Sequence, residues 1–159
     1  MAEKKKFYLT KEGLERIKKE YKDLKVLRLN KIKGKRPRIL HSQDINPEYF
    51  SFQEDLSRLE FRMTELENIL ENVKIIKAPS KEKQGVVNLG AIVTLEEQEG
   101  KINEFMIVGT LEANPSEGKI SSKSPVGKAL LGRKTGEEVV ITSPIRVIYR
   151  IKKIKYLLG

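Results

Sequence analysis

Asp44 and Glu48 are the only carboxylates between Asp23 and Glu54. Each offers hard oxygen ligands, and Mg²⁺ characteristically takes one or two protein carboxylates while drawing its remaining ligands from water or phosphate. Two such groups can complete a magnesium site that another molecule holds in part. The plainer alternative is that Glu48 satisfies a helix N-terminus and Asp44 solvates a turn. Just upstream, Lys25, Arg28, Lys31, Lys33, Lys35, Arg36 and Arg38 form a run with no intervening acid. Phosphate backbones are contacted by such residues without sequence readout, so Lys31, Lys33, Lys35, Arg36 and Arg38 are candidates for nucleic-acid contact, against the alternative of a solvated helix face. His41 is the only histidine and there is no cysteine. A Ser-His-Asp arrangement therefore has one available base, and a Cys nucleophile none. No glycine-rich phosphate cradle or H-E-x-x-H motif occurs, which argues against self-contained catalysis.

These residues need elements to position them. Tyr49, Phe52, Leu56, Leu59, Met63, Leu66, Leu70 and Val73 recur at alternating steps of three and four, the stripe of a coiled coil. Leu14, Ile17, Tyr21 and Leu24 repeat the period earlier, after Thr10 in an N-cap context. Continuing that step lands on Arg28 and Lys31, while Leu27, Leu29 and Ile32 sit off register. Gly34, Pro37 and Pro47 between the stripes prevent one continuous helix, so the two fold back as an antiparallel hairpin. Asn46 caps the second helix, Pro47 opens it and Glu48 meets its dipole. At ~1.5 Å per residue that helix reaches roughly 40 Å, and Asp44, Glu48 and the basic run fall at its free end.

Residues 77–85, KAPSKEKQG, read as a linker. Beyond them the pattern changes to β-rich runs over 86–95, 102–110, 138–142 and 145–154, punctuated by glycine, which predicts a small antiparallel sheet. Between these runs SPVGKALLG predicts a short helix with Ser124 as cap, Pro125 in the first turn and Gly132 as stop. The reading is α+β: a coiled-coil hairpin over 1–76, the linker, and a globular domain over 86–159.

The chain has 159 residues, 38% of them hydrophobic, which suits two modest cores rather than an enzyme with a deep cavity. Its formal net charge of +10 points to an acidic partner, with nucleic acid or a nucleic-acid machine leading. The lack of cysteine removes disulfides and thiolate metal sites. No apolar run is long enough for a signal or a membrane span, so a soluble cytoplasmic protein is expected, with no membrane partner.

Three strings carry a resemblance: FYLTKEGLERIKKE over 7–20, NPEY over 46–49 and ISSKSPVGKALLGRKTGEEV over 120–139, with a closing IKKIKYL. Together and in order they resemble the bacterial Gre transcript cleavage factors. The resemblance implies an FKBP-like fold for the C-terminal domain, and RNA polymerase as partner, with the globular domain at the rim of the secondary channel and the coiled coil inserted toward the active centre. Tip acids of the family help hold a Mg²⁺ shared with the polymerase, which then hydrolyses backtracked RNA at its nascent 3′ end; the factor is not itself the enzyme. The family's tip string is G-D-L-S-E-N-A-E-Y, where this chain has HSQDINPEY. Aligned without a gap on Asn46, Pro47 and Tyr49, the family acids fall on Ser42 and Ile45; with two residues deleted, Asp44 keeps the first. Cleavage stimulation and purely regulatory channel binding both follow from this, with Asp44 and Glu48 as the metal-assisting candidates. Ser124, Pro125, Gly127, Lys128 and Leu130 match the family's SP-x-GKAL segment, which implies a polymerase-facing region; the alternative is that they cap and pack their helix. A monomer is expected. Outside the family reading stand a free RNA-binding coiled-coil protein and a prolyl isomerase, the latter needing an aromatic-lined pocket from Phe105, Tyr149 and Tyr156.

Overall fold

A computed structural model describes residues 5–34, 36–41, 44–142 and 145–157, with His41 and Asp44 described by backbone alone. The chain divides into two compact units: residues 14–73 with the N-terminal five, and residues 6–13 with 74–159.

The first unit is built on two helices, α1 (Lys11–Lys33) and α2 (Pro47–Glu71). Their cross-helix bonds run in opposite order along the two chains: Tyr21 Oη donates to Glu67 at 2.7 Å, Arg28 Nε to Glu60 at 3.0 Å, and Lys31 Nζ lies 3.5 Å from Asp55. Each step outward on α1 meets a step backward on α2, so the helices are antiparallel, as the paired stripes predict. Every stripe residue of α2 is buried or half-buried, with Leu66 fully inside. On α1 the half-buried line passes through Leu14, Ile17, Tyr21 and Leu24 and continues on Arg28 and Lys31, while Val26, Leu27 and Leu29 are exposed. The heptad step prevails over hydrophobicity here, because long cationic side chains lay their methylene stems along the seam and keep their charged ends at its edge. Nearer the base, Arg62 holds Glu20 with two nitrogens at 2.7 and 3.0 Å and reaches Glu65 at 3.3 Å. Accepting the Tyr21 hydrogen bond, Glu67 raises the pKa of that phenol above its ordinary value.

In the second unit a five-stranded sheet comprises β5 (Ile92–Glu97), β6 (Ile102–Val108), β7 (Lys119–Ser121), β8 (Glu138–Ile141) and β9 (Val147–Lys155), ordered β7-β6-β5-β9-β8. One face, with α3 (Pro125–Leu130), encloses Val93, Leu95, Ile107, Leu130 and Ile151 at no exposure. Across strands, charges pair as Glu96 with Lys152 at 2.7 Å, Glu138 with Arg150 at 2.9 Å and Glu104 with Lys155 at 3.8 Å. A smaller sheet pairs β1 (Phe7–Leu9) with β4 (Val73–Ile75).

The sheet departs from the sequence expectation in two places, a parallel pairing and a broken run. The sheet is mixed, because β7 pairs parallel to β6. The run 86–95 is not one strand: Gly90 takes φ 89°, turning the chain before β5 begins at Ile92. Residues 77–85 belong to the second unit and contain a 3₁₀ turn, Lys81–Lys83, with Gln84 donating to the Pro79 carbonyl at 3.0 Å.

The start of α1 is finished from far along the chain. Thr10 Oγ1 accepts from Gly13 N at 3.0 Å, the usual first half of a capping box. The second half needs a carboxylate on the cap's own N–H, and position 13 is glycine. Glu112 supplies it, accepting from Thr10 N at 2.5 Å and from Thr10 Oγ1 at 2.7 Å. A Cβ at position 13 would collide with that same carboxylate.

Candidate functional site

The chain turns between the two helices through a two-residue ladder, β2 (Leu40–His41) against β3 (Asp44–Ile45), which sets Leu40 opposite Ile45 and His41 opposite Asp44. Asn46 organises the exit. Its N–H donates to the Ile39 carbonyl at 3.0 Å, its Nδ2 to the Arg38 carbonyl at 2.9 Å, and its Oδ1 accepts from Glu48 N at 3.0 Å. One side chain thus caps α2 and ties the incoming strand to it, with Pro47 at the first helical position.

Around this clamp the candidate residues separate. Glu48 is exposed in the first turn of α2, where the helix dipole favours its charge. The backbone of Asp44 lies in the ladder; its side chain, and all of Lys35, are outside the described residues. Tyr49 is half-buried, accepts from Gln53 Nε2 at 3.3 Å and meets Phe50 edge to face at 6.0 Å. Lys33, Arg36 and Arg38 are exposed, whereas Lys31 is engaged by Asp55 and sits 5.0 Å from the Phe52 ring centroid. Among the described residues no three potential ligands come together to hold a metal ion.

Sequence reasoning passed over the apolar side chains here. Ile39, Leu40, Ile45 and Phe50 are each more than half exposed. The available signal was their position: all four lie outside the two helical stripes, in the stretch between and just after the prolines.

In the second unit, Ser124 Oγ accepts from Gly127 N at 3.1 Å and donates to the Ser121 carbonyl at 2.7 Å, capping α3 and tying it to β7. Leu130 is fully buried, and a Cβ on Gly127 would run into the Ser121 carbonyl. Pro125 and Lys128 face outward. Three of the five candidates thus build the helix and two present a surface. Phe105, Tyr149 and Tyr156 pack against the core. The Tyr156 hydroxyl donates to the Val86 carbonyl at 2.6 Å and accepts from Asn88 N at 2.9 Å, and burial raises its pKa, partly offset by the Asn88 bond. Among the described residues no helix is long and apolar enough to cross a membrane.

Residues 7–75 match the family model described as transcription elongation factor, N-terminal, and residues 81–156 the model described as transcription elongation factor, GreA/GreB, C-term. The chain is 39% identical over 145 residues to transcription elongation factor GreA of Thermomicrobium roseum, covering 86% of this chain and 88% of that protein. To its counterpart in Bacillus velezensis it is 39% identical over 147 residues, covering 91% and 92%. Among solved structures, the GreA factor homolog 1 protein of Thermus thermophilus is 28% identical, with 95% of this chain and 99% of that chain covered at a TM-score of 0.42.

Proposed function

The chain belongs to the GreA/GreB family of transcription elongation factors, and from that premise we propose that it binds RNA polymerase, inserts its helical hairpin into the secondary channel and acts on backtracked or paused complexes near the nascent RNA 3′ end. It modulates hydrolysis by the polymerase and catalyses none alone. The observation carrying this reading is the antiparallel hairpin with its Asn46-clamped end, a rigid presentation of a short segment at the far end of two helices. Pro125 and Lys128, held outward by the Ser124 cap, are its docking residues on the second unit. The protein works in the cytoplasm as a monomer.

Stimulation of cleavage by this chain is weak in this reading. Asp44 and Glu48 would bring at most two carboxylates to a Mg²⁺ that the polymerase holds. The deciding experiment is RNA release from a stalled, backtracked elongation complex with the unaltered chain, Asp44→Ala and Glu48→Ala. Weak release abolished by Asp44→Ala identifies a surviving tip carboxylate. No release, together with competition against an active Gre factor, identifies a channel-binding regulator. Failure to bind polymerase or to compete overturns the reading. Exposed Lys33, Arg36 and Arg38 favour one rival, a free RNA-binding protein, for which steeply salt-dependent RNA binding without polymerase is the signature.

A further inference from the structure

At the far end of the hairpin Ile39, Leu40, Ile45 and Phe50 are 58%, 57%, 57% and 54% exposed. Leu40 and Ile45 are direct partners in the β2–β3 ladder, so their side chains share one face of it. Phe50 follows in the first turn of α2. The neighbouring chain is cationic, with Lys33, Arg36 and Arg38 exposed. Asn46 fixes this arrangement to the helix, which keeps the ordering cost of binding low.

We propose that this end is a docking surface in its own right, an apolar face with a cationic border that seats in a protein cleft having an apolar wall and carboxylates at its rim. Within the function proposed above, on which this inference rests, that cleft lies inside the polymerase channel. The tip then gains its hold by burying Leu40, Ile45 and Phe50 and by pairing Arg36 and Arg38 with partner acids, rather than by donating metal ligands. Charge complementarity selects the occupant. A second copy of the chain would bring Arg36 and Arg38 against their own like charges. Single-stranded nucleic acid is gripped chiefly by aromatic stacking, and three of the four exposed side chains are aliphatic. Burial against apolar side chains suits all four.

The test measures binding of the full chain to a reconstituted elongation complex by fluorescence anisotropy, with circular dichroism confirming helix content. Leu40→Ser with Ile45→Ser raises Kd by about tenfold or more, as loss of a buried anchor does. Phe50→Ser, which leaves the ladder untouched, moves Kd in the same direction. Arg36→Glu with Arg38→Glu weakens binding at low salt, with the difference shrinking as salt rises. The control Leu29→Ser, an equally exposed apolar residue on α1, leaves Kd unchanged. Tip variants binding within about twofold of the unaltered chain overturn the inference while leaving the proposed function standing. A loss from Leu29→Ser equal to that from the tip variants overturns it too, as does finding that the same variants lose isolated single-stranded RNA in parallel. An unaltered chain that does not bind the complex at all defeats the proposed function and this inference together.

Discussion

The hairpin and the sheet unit are held by different forces. In the sheet unit, side chains from β5, β6, α3 and β9 meet in a dry core in which Val93, Leu95, Ile107, Leu130 and Ile151 are fully buried. In the hairpin most of the seam is only half-buried, and its outer part is closed by Arg28, Lys31 and their acidic partners. A two-helix unit has too little interior to bury a full core, so side chains that are part apolar and part charged do that work. The consequence is a difference in sensitivity: the sheet unit responds to lost volume, the hairpin to salt and charge.

Amide hydrogen exchange resolved by segment can break that comparison. Leu130→Ala should have the largest effect, about 2–5 kcal/mol, confined to the sheet unit. A loss spread equally over both units would contradict the division. Thr10→Ala removes the hydroxyl that links Gly13 and Glu112, and should cost about 1–2 kcal/mol at the start of α1. Tyr156→Phe removes the hydroxyl bonds to Val86 and Asn88 and should cost about 1 kcal/mol. Because burial raises the Tyr156 pKa, the neutral phenol is the form that stabilises the fold. That contribution is complete below its ordinary value of 10.0 and is lost as pH rises through the higher folded value. Protection around 86–88 should therefore fall above about pH 10 in the unaltered chain, and less in Tyr156→Phe. Arg62→Ala should cost under about 1 kcal/mol, since the pair with Glu20 is well exposed, and that difference should shrink in high salt. A salt-insensitive loss above that size would mean that the hairpin depends on packing after all.

The second helix was legible almost to the residue, because Pro47, Asn46 and an unbroken stripe all point the same way. The outer half of α1 was legible in its period and opaque in its chemistry: Arg28 and Lys31 occupy the seam while Leu27 and Leu29 face solvent, an outcome that depends on which acids α2 presents opposite. In the sheet unit, β7 was missed because three residues carry too little alternation to signal a strand, and its pairing comes from β6. At the tip, the residue types invited a reading in terms of carboxylates and cations. Leu40 and Ile45 are exposed on the short ladder between the helices, and Phe50 on α2 beside its stripe; their positions off both stripes mark them as outward, but the two-residue ladder that pairs Leu40 with Ile45 is too short for any periodicity to announce.

The contact between Thr10 and Glu112 spans 102 residues. Synthesis runs from Thr10 towards Glu112, so the whole hairpin lies between the cap and the carboxylate that completes it. The leading turn of α1 therefore gains its last partner only from chain made after both helices.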